Sequence, residues 1–193
     1  MLALKLDNMK LDIPFFSQLD SDVPVDVQRI SCALASTKMV IRYKGETISF
    51  SDLQKEAQII GGKQRAGWSH ETVVRIMRNH GVPAYAQEFF GQTIDLKDEQ
   101  RVLSELSKQF KLDGFEKIKK SISNQNPVLV SVSAGFSKNE VLRKSLNIET
   151  HVVVLSGFED DVLTIHDPIF DAPTIVSREH FMKYWRGLAI FTE

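Results

Sequence analysis

One stretch decides the fold: QRISCALASTKMVIRYKG, residues 28–45. It contains Cys32, the only cysteine among the 193 residues. Behind this cysteine, apolar residues recur at a spacing that places them on one helical face, namely Ala35, Met39, Val40 and Tyr43. Gly45 is a typical helix stop. The pattern therefore predicts a helix that begins near Cys32 and ends before Gly45.

A thiol in the first turn of a helix lies near unpaired backbone N–H groups and the positive end of the helix dipole. Both favour the thiolate, so we expect the pKa of Cys32 to lie below that of a free cysteine. The alternative is a buried structural thiol, because free cysteine is among the most buried residue types. A nucleophilic role requires a base, and a group that orients the base, elsewhere in the chain.

The composition is that of an ordinary globular protein, with 42% hydrophobic and 25% charged residues, and it suits one domain over residues 1–193. A net charge of −1 gives no electrostatic footprint for nucleic acid. A single cysteine excludes an intrachain disulfide and a cysteine-rich zinc site. No signal-peptide pattern or long apolar run is present, so we expect no membrane span and a cytoplasmic protein.

Helices dominate the first half of the chain and strands the second. The first half predicts a short strand over 12–18, helices from caps Ser49 and Ser69, a loop over 63–68, a strand over 82–89, and helices over 99–110 and 114–123. The second half predicts strands over 127–133, 151–158, 162–168 and 187–191, a helix over 177–184, and an irregular insert over 134–150. This order predicts an α+β fold, with N-terminal helices packed on a C-terminal antiparallel β-sheet.

His151 and Asp167 are the candidates for a base and its orienting group. His151 begins one predicted strand, and Asp167 ends the next. If the hairpin turns about Asp160, residues whose numbers sum to about 320 face each other, and His151 lies opposite Ile169. Asp167 is then one diagonal step away on the same face, within side-chain reach. A register shift of one residue would place the two on opposite faces.

Three segments, in chain order, resemble the papain-like cysteine peptidases of the bacteriocin-leader-processing type, peptidase family thirty-nine, and especially its stand-alone relatives. They are IPFFSQ at 13–18 with the cysteine helix, GWSH at 67–70, and HVVVLSGF at 151–158 followed by HDP at 166–168. The resemblance covers about residues 13–191. It implies a bacterial thiol hydrolase with a papain-like fold and no cofactor, acting on a peptide or protein.

The resemblance also implies roles by position. Cys32 is the nucleophile, His151 the general base that forms a thiolate–imidazolium pair, and Asp167 the group that holds the imidazole ring. The reaction is then hydrolysis of an amide bond through a covalent acyl-enzyme.

The oxyanion hole differs from the family pattern. The family uses the cysteine backbone N–H and a glutamine about six residues before the cysteine, where this chain has Asp26. The available glutamines are Gln28, four residues before Cys32, and Gln18, fourteen before it. The family also has Gly directly after the cysteine, where this chain has Ala33.

Three further features have alternative interpretations. Trp68 and His70 belong either to a helix cap with a packed indole or to the border of a substrate groove. His166 precedes Asp167 in the strand, so it faces the other side as a structural or surface residue. The insert over 134–150 is either a lid or a plain surface loop. No spacing of histidine, cysteine and acidic residues matches a standard metal site.

Two other functions fit the same residues. An acyltransferase or transglutaminase-like enzyme would use the same triad with an amine or thiol in place of water. A catalytically silent domain would bind a peptide in the groove without a reactive Cys32. The sequence leaves the substrate and the oligomeric state open.

Overall fold

The computed structural model describes residues 8–64, 67–89, 99–133, 135–137 and 150–193. The helices are α1 (Cys32–Tyr43), α2 (Phe50–Ile60), α3 (His70–Asn79), α4 (Glu99–Ser123) and α5 (Arg178–Tyr184). The strands are β1 (Asn8–Lys10), β2 (Lys63–Gln64), β3 (Gly67–Trp68), β4 (Ala84–Glu88), β5 (Val128–Ser133), β6 (Thr150–Glu159), β7 (Val162–His166), β8 (Thr174–Ser177) and β9 (Trp185–Thr192).

The main sheet has the strand order β4-β9-β5-β6-β7-β8, and β1 pairs with the far end of β6. All pairings are antiparallel. The central strands β5 and β6 are buried along nearly their whole length, because helices cover both faces of the sheet. Helix α1 contacts β6 and packs against α2 and α3. The predicted α+β arrangement, with N-terminal helices packed on an antiparallel sheet, is confirmed.

The helix starts follow their local signals. Helix α1 begins at Cys32, as predicted. The Ser49 and Ser69 hydroxyls accept hydrogen bonds from the backbone N–H groups of Asp52 and Thr72, at 3.1 and 3.2 Å. Each of these caps satisfies a donor that the helix itself leaves unpaired. Among the described residues, no helix combines the length and apolarity that a bilayer crossing needs.

The division of residues 99–123 into two helices was wrong, since α4 runs through the whole segment. Gly114, predicted to begin the second of these helices, lies inside α4. A Cβ at this position would approach the rings of Phe89 and Trp185 to 2.6 and 2.8 Å. The glycine therefore permits close packing of two aromatic side chains, and this packing overrides its weak helix propensity.

Two other local predictions need correction. Residues 11–17 are irregular and form no strand, because Pro14 supplies no N–H; the strand lies earlier, at β1. The predicted loop over 63–68 contains a short hairpin of β2 and β3. Most of the predicted insert over 134–150 lies outside the described residues.

A bulge in the β6–β7 hairpin sets the register near its open end. Next to the turn, Glu159 pairs with Val162, so paired residue numbers sum to 321. The register shifts between Leu155 and Gly157, and beyond this point Val154 pairs with His166, with a sum of 320. A β-bulge adds one residue to one strand and can redirect the side chains beyond it. The predicted sum therefore holds at the end of the hairpin where His151 and Asp167 lie.

His166 is buried rather than on the surface, and its ring stacks on Phe15 with centroids 5.6 Å apart. Neither ring nitrogen has a hydrogen-bond partner among the described residues. Burial and, to a smaller extent, the charge of Lys10 lower the pKa of His166 to about 4 against an opposing effect of Asp12. The ring is therefore neutral and acts as an apolar side chain in the folded protein.

This burial predicts an acid-dependent loss of stability. The pKa of His166 is about 4 in the folded state and 6.5 in an unfolded chain, so the unfolded state binds the proton first. Stability is fully present above pH 6.5 and falls as the pH drops towards 4. His166→Leu should flatten this part of the profile, measured as the urea midpoint against pH.

The control is His80→Gln. Burial alone would lower the pKa of His80, but its ring donates hydrogen bonds to the Glu56 and Glu46 carboxylates, whose charges raise the pKa overall. Its contribution to stability is constant below its unfolded-state pKa of 6.5, so the control should keep the acid slope of the wild type. An unchanged slope in His166→Leu would contradict the assignment.

Candidate functional site

The predicted site residues meet where β6 begins and β7 ends. His151 Nε2 and Asp167 Oδ1 are 2.5 Å apart, and both side chains are buried, with 4% and 1% exposure. Asp167 also accepts hydrogen bonds from the Ser137 hydroxyl at 2.6 Å and from the Ile169 backbone N–H at 3.1 Å. The carboxylate is therefore held by three donors, and its position fixes the ring of His151.

Helix α1 brings Cys32 to the other side of the imidazole. The helix contacts β6, and the Ser36 hydroxyl donates a hydrogen bond to the Val152 carbonyl at 3.2 Å. This bond fixes the helix beside the residue that follows His151. Asp167 occupies the Nε2 atom of His151, and the Nδ1 atom has no hydrogen-bond partner among the described residues. Nδ1 is thus the ring nitrogen available to the thiol.

The electrostatics of the three groups favour an ion pair. Burial alone would raise the pKa of the Cys32 thiol, but the adjacent His151 side chain and the backbone N–H groups of Val152 and Ala33 lower it overall. Burial alone would lower the pKa of His151, but the charge and hydrogen bond of Asp167, with a smaller effect of Cys32, raise it to about 10. Despite burial, the charge of His151 lowers the pKa of Asp167.

This arrangement can generate a nucleophile at neutral pH. The shifts favour a thiolate on Cys32 and an imidazolium on His151 over the same pH range, and both are charged when the reaction starts. An imidazolium can afterwards give its proton to a leaving group. The carboxylate of Asp167 stabilises the charged ring and fixes its orientation.

A small cleft of about 80 Å³ opens beside these groups. Its lining includes Cys32, His151, Gln64, Gly67, Trp68, His70, Ser131 and Arg186. The structure thus places Trp68 and His70 beside the thiol, and Ser69 also caps α3, so the two interpretations of GWSH coexist. A larger cavity of about 510 Å³ lies elsewhere, between α4, β4 and β9, and contains none of the predicted site residues.

The two candidate glutamines are not among the residues that line this cleft. Gln18 is fully buried, and its Nε2 donates a hydrogen bond to the Gln28 carbonyl at 2.7 Å. Its backbone N–H donates to the Pro168 carbonyl at 2.8 Å. The half-buried Gln28 side chain makes only a long contact, 3.4 Å, with the Val23 carbonyl. Gln18 therefore connects the segment after Asp167 to the turn before Cys32.

Sequence reasoning missed three polar residues of the site. Ser137 lies in the segment predicted as an insert, and no periodicity marks it as a partner of Asp167. Ser131 belongs to an apolar strand, and its hydroxyl pairs with His70 Nε2 at 2.7 Å. Arg186 lies between the helix predicted over 177–184 and the strand predicted over 187–191, and no local pattern assigns it a role. The signal that could have found Ser131 is a polar residue at the centre of a run of valines.

Among the described residues, no group of three histidine, cysteine or acidic side chains could hold a metal ion.

Comparisons with known proteins give one family match. The sequence model of the Peptidase C39 like family matches residues 10–189, which is most of the chain. No curated protein matches the chain.

Solved structures give the same fold at low identity. A C39-like peptidase from Bacillus anthracis is 19% identical, with a TM-score of 0.62, over 97% of this chain and 98% of that chain. A double glycine motif protease from an AMS/PCAT transporter, in complex with the leader peptide, is 16% identical, with a TM-score of 0.60, over 95% and 94%. The peptidase domain of Streptococcus ComA, a bifunctional ABC transporter in a quorum-sensing pathway, is 19% identical, with a TM-score of 0.55, over 92% and 95%.

The contact of Cys32 with His151 can be tested by alkylation, which reports on one site because the chain has one cysteine. In the wild type, the rate against pH should show a pKa below the free value of about 8.5. His151→Ala removes the favourable charge, so the pKa should rise. At a pH of about 6.5 the thiolate fraction, and hence the rate, should fall by roughly 100-fold.

The matched control for this measurement is His180→Ala, which removes a histidine whose ring bonds the Phe136 carbonyl rather than the thiol. Its alkylation profile should match the wild type. A pKa near the free value of about 8.5 in both the wild type and His151→Ala would make Cys32 a structural thiol.

Proposed function

The chain belongs to the Peptidase C39 like family and is a cysteine peptidase, and we propose that Cys32, His151 and Asp167 form its catalytic triad. The observation that carries this proposal is the buried 2.5 Å contact between His151 Nε2 and Asp167 Oδ1, which leaves Nδ1 for the thiol. The thiol lies at the start of α1, where the helix dipole supports a thiolate. We further propose that residues 1–193 form a single peptidase domain.

The proposed reaction is acyl transfer to water in two steps. The Cys32 thiolate attacks the carbonyl carbon of a peptide bond, and a tetrahedral oxyanion forms. As this intermediate collapses, the C–N bond breaks, and the His151 imidazolium gives its proton to the leaving amine. His151 then takes a proton from water, the hydroxide attacks the thioester, and the C–S bond breaks to release the acid and regenerate the thiolate.

The oxyanion needs donors near the start of α1. The backbone N–H of Cys32, in the first turn of the helix, has no intrahelical acceptor and is the first donor. We assign the second donor to Gln18. Its Nε2 lies against the turn before Cys32, and the Gln28 carbonyl takes one of its two N–H bonds. The Gln28 side chain is directed to the Val23 carbonyl instead.

The size of the cleft favours a substrate with small residues beside the scissile bond. About 80 Å³ is small compared with the roughly 300–1,000 Å³ of typical ligand pockets. Trp68 forms part of the wall, and Gly67 has φ +136°, where a Cβ would approach the Ile30 carbonyl oxygen to 3.3 Å. One structurally similar protease is named for a double glycine motif and was solved in complex with the leader peptide. We propose that this chain cleaves peptides after glycine.

A peptide library with glycine before the scissile bond tests the proposed function. Wild-type protein should cleave members of the library, and mass spectrometry should detect a thioester on Cys32. Cys32→Ala should abolish cleavage. Asp167→Asn should lower kcat by on the order of 10²-fold or more, because the imidazolium loses its partner.

Thermal unfolding of each variant shows whether the fold persists. Cleavage that survives Cys32→Ala would refute the proposal. If the acyl group is transferred to an added amine rather than to water, the protein is an acyltransferase. Peptide binding without any cleavage would indicate a catalytically silent domain.

Gln18→Ala and Gln28→Ala separate the two oxyanion candidates. Loss of an oxyanion donor costs about 10²–10³-fold in kcat in other hydrolases. We expect Gln18→Ala to lower kcat by this factor. We expect Gln28→Ala to lower kcat by less than about threefold, since the Gln28 side chain makes only a long hydrogen bond. The alkylation rate of Cys32 should be unchanged in both variants, because alkylation forms no oxyanion. A larger loss of kcat in Gln28→Ala than in Gln18→Ala would assign the oxyanion role to Gln28.

A further inference from the structure

The cleft beside Cys32 contains a cation that the proposed mechanism does not use. Arg186 lines the same small cleft as Cys32 and His151, and its side chain is exposed. No hydrogen bond or ion pair to its guanidinium is present within the described ranges. Among the residues that line the cleft, the Cys32 thiolate and the His151 imidazolium carry opposite charges, and Arg186 adds a second positive charge. The Asp167 carboxylate lies outside this lining, bonded to the His151 ring.

The backbone of β9 directs Arg186 to this position. Trp185 pairs with Val132 of β5, whereas Leu188 pairs with the preceding residue, Ser131. Arg186 and Gly187 are therefore extra residues opposite the partner strand, and Gly187 has φ +74°. An irregularity of this kind, with a left-handed glycine, often redirects a side chain next to an active site. In a regular strand, Arg186 would take part in the ladder.

The neighbours of Arg186 add neutral donors and acceptors but no carboxylate. The cleft lining contains no aspartate or glutamate. Buried Ser131, 3% exposed, holds Nε2 of His70 at 2.7 Å. Burial and the charge of Arg186 lower the pKa of His70, whereas Glu88, which does not line the cleft, acts in the opposite direction. His70 is therefore neutral at physiological pH and does not compensate the charge of Arg186.

We propose that Arg186 makes this cleft a subsite for a carboxylate of the substrate, supplied by an acidic side chain or by the carboxyl terminus of the peptide. A guanidinium presents paired N–H donors that match a carboxylate, and binding satisfies a charge that has no partner in the described protein. An extended peptide advances about 3.3 Å per residue, so in so small a cleft the carboxylate lies within one or two residues of the scissile bond. The identity of the ligand as a peptide rests on the proposed function.

A pair of alkylating reagents tests the charge without a known substrate. Iodoacetate and iodoacetamide react with the same thiolate, but only iodoacetate carries a carboxylate. Arg186→Gln should lower the iodoacetate-to-iodoacetamide rate ratio by about fivefold to tenfold, as expected for one charge at close range. Arg186→Lys should retain most of the ratio, and the difference should shrink in high salt.

The matched control is Arg75→Gln, which removes the same charge from α3, where Arg75 is exposed and pairs with Glu71 outside the cleft. Its rate ratio should equal the wild-type ratio. An Arg186→Gln ratio equal to that of wild type and control would overturn the proposal, because the charge would not reach an anion at the thiol.

Peptide binding identifies the source of the carboxylate and separates this proposal from the proposed function. Two pairs of glycine-containing peptides are used: one pair differs by Asp or Asn, and the other by a free carboxyl terminus or a terminal amide. Each peptide is titrated onto Cys32→Ala and onto the double variant that also carries Arg186→Gln. Tighter binding of the acidic member that disappears in the double variant supports the subsite even if Cys32 proves unreactive. An effect in the Asp and Asn pair identifies an acidic side chain as the source of the carboxylate, and an effect in the acid and amide pair identifies the carboxyl terminus. Equal binding within both pairs would refute the subsite and leave the triad untouched.

Discussion

The buried pair of His151 and Asp167 is the constraint on which the rest of the site depends. Two ionisable groups out of contact with water are tolerated only when each charge has partners. Asp167 therefore receives donors from Ser137 and Ile169 as well as from the ring. The pair in turn raises the pKa of His151 to about 10 and directs Nδ1 towards the thiol. A single hydrogen bond thus sets both the orientation and the charge of the group beside Cys32.

Close packing behind the active site keeps this pair in register. The bulge at Ser156 moves the far end of the hairpin by one residue, and the freed Ser156 carbonyl accepts a hydrogen bond from Leu11 at 2.7 Å. Next to it, Gly157 lets β1 approach, because a Cβ would lie 2.6 Å from the Met9 carbonyl oxygen. Strand β1 therefore packs against the hairpin at this bulge and this glycine. The bulge and Gly157 lie on β6, the strand that also contains His151, and the bulge sets which face of the sheet His151 occupies relative to β7.

The catalytic groups and the selectivity of the cleft arise from different parts of the sheet. The proposed triad residues come from the start of α1, the start of β6 and the residue that follows β7. The charge of the cleft comes from the irregular start of β9. The three solved structures compared above are 16 to 19% identical to this chain and therefore support the fold alone. Selectivity has to be argued from this chain's own residues, of which Arg186 is the most informative.

The sequence by itself determined the elements whose signals are local. The cysteine helix, the serine caps and the hairpin follow from residues within a few positions of one another, and the α+β order follows from their succession. Tertiary structure alone decided that Gly114 lies inside α4, that Ser137 bonds Asp167 across 30 positions, and that His70 bonds Ser131 across 61. It also decided that Arg186 reaches the cleft. The physical reason is that propensity and capping act over one turn of chain, whereas burial, charge and close packing act between segments that only folding brings together.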